Sequence, residues 1–143
     1  MRIRSGQTVA DVEVGALGLD FGRAELRFEA LRPPMESYEL RVFLDEPRPD
    51  ARTPTANNPH YLGSQWFYGV GAPAPEPPLD SASAGPTQTS RRTIVLNVTP
   101  RLRAYLRDAA PHRAALAVVA IGKDGREIPD PDLDVEGVSL VTS

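Results

Sequence analysis

Cysteine is absent from this 143-residue chain. That absence removes disulfides, iron–sulfur clusters, thiolate metal centres and cysteine nucleophiles together. Histidine is scarce: His60 and His112 are the only two, too few to build a histidine-rich metal centre from this chain alone. No apolar run approaches the ~18 residues of a membrane span, and the opening MRIRSGQTVADVEV lacks the apolar core of a signal peptide. A cytoplasmic protein is therefore expected. Charge of one sign is also missing, because 16 basic against 19 acidic residues leave only −3. Such a balance argues against a general nucleic-acid binder. Lysine is nearly absent, with Lys123 alone among the basic residues and arginine supplying the rest. Codon bias in a GC-rich bacterial genome is the first explanation, and planar bidentate donors at an interface the second.

What is abundant is punctuation. Fifteen prolines and eleven glycines leave short apolar runs between them, a pattern suited to a β-sandwich and not to a helical bundle. Val9, Val12 and Val14 open a first extended stretch. In AELRFEAL, Leu26 and Phe28 alternate with Glu25, Arg27 and Glu29, the period of two of a half-buried strand. SYELRVFLDEP repeats it, with Leu40, Val42 and Leu44 on one face and Glu39, Arg41 and Phe43 on the other. Pro47 to Pro59 cannot be regular structure. HYLGSQWFYGV resumes as a strand with Leu62, Trp66 and Tyr68 in phase. Residues 71–90, rich in proline and serine, form a long internal loop. RRTIVLNV turns Ile94, Leu96 and Val98 inward. Thr99 then offers an N-cap and Pro100 a first helical residue, so a short helix runs over about 100–109. RAALAVVAI reads as a central strand, Asp124-Gly125 as a tight turn, and VEGVSLVT as the last strand. The expectation is all-β: an antiparallel β-sandwich of jelly-roll or immunoglobulin-like type, with about seven strands and one short helix, forming a single domain over 1–143.

Catalytic templates fail one after another. Neither histidine has a second histidine or carboxylate at helical or strand spacing, so His60 reads as a turn residue and His112 as a helix-end residue. Asp130, Asp132 and Asp134 recur at every second position, but a hard-cation loop needs glycine at its sixth position and glutamate at its twelfth. Those positions hold Val135 and Val141, so a solvated, charge-protected edge is the better reading. No nucleophile elbow and no phosphate-cradling glycine loop is present. The sequon Asn97-Val98-Thr99 lies in a strand and reads as accidental. The chain is expected to have no catalytic residue, no cofactor and no metal site.

One cluster remains. Trp66, Phe67 and Tyr68 are consecutive in a strand and must point to both faces. Either Trp66 and Tyr68 enter the core and Phe67 faces out, or the reverse. An outward apolar face needs a cover, either the proline-rich loop or another protein. The partner-binding candidates are Trp66, Phe67 and Tyr68 with Tyr61, Arg91 and Arg92.

The stretch YELRVFLDEPRPDARTPTANNPHYLGSQWFYGVG resembles the C-terminal β-domain that follows the dicopper domain in tyrosinases and polyphenol oxidases. The resemblance rests on Leu40 to Leu44 (a strand reading like LRVFLN-P in that family), Asp50, Thr53-Pro54, His60-Tyr61, Gly63-Ser64 and Phe67 to Gly69. A strand and helix near Val95 to Leu106 and the closing strand at Val135 to Leu140 continue it. It implies a hemocyanin-like sandwich that packs over a copper domain, where in latent forms one of its side chains plugs the substrate entrance. No dicopper histidine set and no Cys-x-x-Cys copper-delivery motif stands in this sequence, so no catalytic residue carries over. The implied role is a non-catalytic accessory subunit docked on a protein partner, either a copper oxidase or a larger assembly. A stand-alone module for a sugar or phenolic ligand is the alternative. A self-assembling homo-oligomer built through edge strands is the third.

Overall fold

The computed structural model describes residues 2–13, 21–32, 36–68, 92–108, 113–131 and 133–143. In chain order the elements are β1 (Arg2–Ile3), β2 (Thr8–Glu13), β3 (Ala24–Leu31), β4 (Tyr38–Leu44), β5 (Tyr61–Phe67), β6 (Arg92–Asn97), α1 (Thr99–Asp108), β7 (Arg113–Gly122), β8 (Leu133–Asp134) and β9 (Gly137–Thr142). A four-stranded sheet of order β2-β7-β4-β5 faces a three-stranded sheet of order β6-β3-β9, and β1 pairs with β8. Every strand pair is antiparallel. The chain is an all-β sandwich with one short helix, as its alternating patterns require.

Period-two hydrophobicity builds the interlayer core. Leu26 stands between Leu96 and Leu140 in the smaller sheet, and Phe28 between Ile94 and Val138. Opposite them, the inward row of β4 is Tyr38, Leu40, Val42 and Leu44, all fully buried. β7 lies inside its sheet between β2 and β4, and its nearly continuous apolar run follows from burial on both faces. Its outward Val119 and Ile121 join Phe43 in a second buried cluster flanked by Ala51 and Tyr61. The segment between β4 and β5 contributes to this cover. It holds no strand or helix, but side chains tie it down. Asp50 accepts from the Arg52 backbone at 2.8 Å, Thr53 Oγ1 accepts from the Asp50 backbone at 2.8 Å, and Glu127 accepts from the Ala51 backbone at 3.1 Å.

Four details depart from the sequence expectations. First, Leu62 is not in phase with Trp66. Val42 pairs with Gly63 but Phe43 with Tyr61, so Leu62 is the extra residue of a β-bulge, made possible by Gly63 at φ 148°. The bulge lets both Leu62 and Phe67 reach the core. Second, Val98, not Thr99, precedes the helix, since its carbonyl accepts from the Leu102 N–H at 2.9 Å. The Thr99 hydroxyl turns instead toward β3, accepting from the Ala24 N–H at 2.9 Å. Asn97 Oδ1 accepts from the Thr99 N–H at 3.0 Å, satisfying a donor that the helix leaves open. Asn97 itself is exposed, so the sequon lies at the strand's end and not in a buried stretch. Third, the acidic segment is more than a solvated edge: Asp130 is exposed as expected, but Arg2 holds it through two contacts at 3.1 and 3.0 Å, and Leu133 and Val135 are fully buried. Fourth, β1 and β8 extend the expected strand set. The proposed loop at 71–90, Asp132 and His112 lie outside the described residues.

Candidate functional site

β5 forms one rim of the four-stranded sheet and carries Tyr61, Trp66 and Phe67, with Tyr68 directly after it. The bulge settles which way its aromatics point. Phe67 is in the core, meeting Phe28 edge-on at 5.9 Å and Tyr38 at 5.7 Å, and is therefore no surface residue. Trp66 and Tyr68 face out, 43% and 71% exposed. Tyr61 belongs to the second cluster, 5.5 Å from Phe43, and the Arg101 guanidinium lies 4.8 Å above its ring. Arg92 pairs with Leu31 along the backbone, and Arg91 lies outside the described residues. Among the described candidates, Trp66 and Tyr68 are the ones that stand exposed at the surface.

Two charged neighbours complete that surface. Glu39 is the register partner of Trp66, and Arg41 of Ser64, so all four share the sheet's outer face. Arg41 Nε donates to Glu39 Oε1 at 2.5 Å, which neutralises the pair in place. The result is an exposed indole and phenol beside an internally cancelled ion pair. Glu39, Ser64 and Tyr68 are the polar groups on this face among the described residues, and the Glu39 carboxylate is engaged by Arg41.

A polar cluster that the sequence reading missed sits where α1 meets the ends of β4 and β7. Tyr105 Oη donates to Asp45 Oδ2 at 2.6 Å, and Asp45 Oδ1 accepts from the Ala115 N–H at 2.9 Å. His60 Nδ1 lies 2.8 Å from the Leu44 carbonyl, which can only accept, so Nδ1 carries the proton. The His60 ring meets Tyr105 edge-on at 6.0 Å. Burial holds the Tyr105 phenol above its ordinary range, and the hydrogen bond to Asp45 and that carboxylate's charge push it further in the same direction. The histidine serves a turn: its backbone N–H donates to Asn58 Oδ1 at 3.0 Å. The cluster holds the helix against the sheet. Asp45 adopts φ 59°, a conformation that Asp and Asn tolerate best, but no spacing in the sequence links it to His60 or Tyr105. In the resembled family's pattern LRVFLN-P, asparagine occupies the corresponding place.

A crevice of about 350 Å³ opens at the opposite rim, between β2 and β9, lined by Ala10, Val12, Leu116, Val138 and Leu140 with Asp11, Glu13 and Ser139. Neither Trp66 nor Tyr68 lines it. Among the described residues no group of three or more histidines and carboxylates is placed to hold a metal ion, and no helix is long and apolar enough to cross a membrane.

No protein-family model matches the sequence, and no curated protein matches it. Solved structures do match the fold. A recombinantly expressed latent aurone synthase, a polyphenol oxidase, is similar with a TM-score of 0.58 at 14% identity, over 99% of this chain and 25% of that one. Latent aurone synthase from its natural source is similar at 0.53 and 16% identity, over 99% of this chain and 26% of that one. The likeness is one of fold, and this chain spans about a quarter of the polyphenol oxidase chains it matches.

Proposed function

We propose that this chain is a non-catalytic covering module, a single domain counterpart of the C-terminal β-domain of tyrosinases and polyphenol oxidases, which docks on a protein partner of the copper-oxidase kind. The observation that carries the reading is the exposed pair Trp66 and Tyr68, on the rim strand of a sandwich whose fold likeness is to latent polyphenol oxidase. Indole and phenol rings give large contact area at little conformational cost and dominate protein interfaces for that reason. The paired Glu39 and Arg41 support contact chemistry over turnover. Arg101 and Arg103 are engaged within the chain, with Tyr61 and Phe21, and Arg41 is the described arginine beside Trp66 on the outer face.

The test is capture from the native source with the tagged chain, followed by mass spectrometry. A copper oxidase retained by the wild type and lost with the Trp66→Ala/Tyr68→Ala double variant is the expected result. Equal retention by both proteins, or oxidation of a phenol by the purified chain alone, overturns the reading.

A further inference from the structure

The two sides of the sandwich are closed unequally. Along one side, where β5 and β6 form the rims, Leu62, Phe67 and Leu96 are buried. Along the other, where β2 and β9 form the rims, neither strand holds a buried residue. Val9, Ala10, Val12, Val138 and Leu140 nevertheless pack against the core. The apolar interior therefore reaches the surface along this seam, and the crevice of about 350 Å³ is where it does so.

The order of the lining residues defines the kind of surface. Ala10 to Glu13 line the crevice without a gap, as do Val138 to Leu140 from β9, together with the buried Leu116 of β7. All of them are described residues. Successive side chains of a strand point to opposite faces. A crevice touched by unbroken runs of two strands therefore meets their backbone as well as their side chains. Among the described residues β2 pairs only with β7 and β9 only with β3, so that backbone belongs to two open rims. A small apolar ligand would fill the crevice and strip water from N–H and C=O groups it cannot satisfy. An extended polypeptide fills it with alternate side chains and pairs the rim with its own backbone.

Charge decides between a second copy and a different chain. Ala10 and Val12 lie opposite the buried Leu116 and Ala114, so Asp11 and Glu13 stand on the sheet's outer face, level with Ala115 and Arg113. Arg113 offsets Glu13 at 3.1 Å, which leaves Asp11 as the uncompensated charge there among the described residues. Pairing this rim with a second copy would set carboxylates near their own images, and like charges across a strand pair are destabilising. A strand with basic residues at its outward positions gains where a copy loses.

We propose that the β2 rim takes an extended segment of a partner protein as an added strand of its sheet. Apolar side chains at alternate positions enter the crevice, and lysine or arginine at the positions between them stands beside Asp11. The site lies on the opposite rim from Trp66 and Tyr68 and is independent of the partner assigned to them.

The test is titration of the isotope-labelled full chain with the acetylated and amidated peptide Lys-Val-Lys-Val-Lys-Val-Lys, followed by nuclear magnetic resonance. Saturable amide shifts centred on Ala10 to Glu13 and Val138 to Leu140 are expected, with a dissociation constant below about 1 mM. Glutamate in place of lysine in the peptide should weaken binding about threefold or more. Asp11→Lys, at an exposed position, should reverse the order of the two peptides and leave the melting temperature unchanged. The lysine peptide N-methylated along its backbone keeps its side chains but loses its donors, and it should not bind. The proposal is overturned by the absence of saturable shifts, by shifts around Trp66 in place of the seam, or by indifference to the peptide's charge. Equal binding of the N-methylated peptide also overturns it, showing an apolar crevice without strand pairing.

Discussion

The hydroxyl of Tyr105 donates to the carboxylate of Asp45 across 2.6 Å, joining the only described helix to the end of β4. Asp45 also grips β7 twice, its N–H donating to the Ala115 carbonyl at 2.8 Å and its Oδ1 accepting from the Ala115 N–H at 2.9 Å. One residue therefore ties the end of β4 to α1 and β7, which lie 60 and 70 residues further along the chain. Because the phenol is buried, both the bond and its loss fall in a weakly screened setting.

Tyr105→Phe keeps the ring and removes the hydrogen bond to Asp45. Destabilisation of about 1–3 kcal/mol at neutral pH is expected by urea unfolding, the range for hydrogen bonds to charged groups. The pH dependence has a definite sign. Folding favours the neutral phenol, so the contribution is complete below the unfolded tyrosine value of about 10 and is lost as pH rises through the raised folded value. Wild type should therefore lose stability above about pH 10 more steeply than Tyr105→Phe. Parallel alkaline slopes for the two proteins would show that this phenol is not the titrating group.

Phe67 and Trp66 should behave oppositely although they are neighbours. Phe67→Ala empties a site packed by Phe28 and Tyr38 and should cost about 3–5 kcal/mol. Trp66→Ala, at a ring 43% exposed, should cost about 1 kcal/mol or less. Chemical denaturation of the two variants decides, and a larger loss for Trp66→Ala would place the wrong ring in the core.

Gly63→Ala isolates backbone strain from crowding. The nearest atom to an added Cβ is Leu96 Cδ2 at 3.7 Å, an ordinary contact, while φ is 148°. A loss of about 1–3 kcal/mol is expected from the conformation alone. A neutral result in thermal melts would mean that the bulge relaxes when a side chain is added.

Ile3 and Arg2 divide the work of β1 unequally. Ile3 is 1% exposed, so Ile3→Ala should cost about 2–5 kcal/mol. Arg2→Ala removes an ion pair whose side chains are 54% and 39% exposed and should cost ~1 kcal/mol or less, shrinking further in high salt. Comparing denaturation midpoints at low and high salt checks both. A salt-insensitive loss for Arg2→Ala comparable to that for Ile3→Ala would contradict this division.

Local pattern carried far. The alternations in 24–31 and 38–44, the nearly continuous apolar run at 113–121 and the helix stripe Leu102, Tyr105 and Leu106 were legible, because each reports how a regular element is buried. The polar cluster was not. Asp45, His60 and Tyr105 lie in a turn, a loop and a helix, and no spacing rule links them.

What the sequence by itself determined is the class of fold: short strands of period two, cut by proline and glycine, bury one face each and leave two sheets to cover each other. Only the tertiary structure decided which aromatic of Trp66 and Phe67 is inside. A strand has two phases of equal pattern, and a single extra residue inverts every side chain beyond it. At Leu62 the pairing with Val42 and Phe43 inserts that residue. The same device recurs in β3, where Ala30 at φ 51° lets Phe28 and Leu31 both point inward. Bulges are set by the partner strand, and the partner strand is chosen by contacts that no local window of sequence contains.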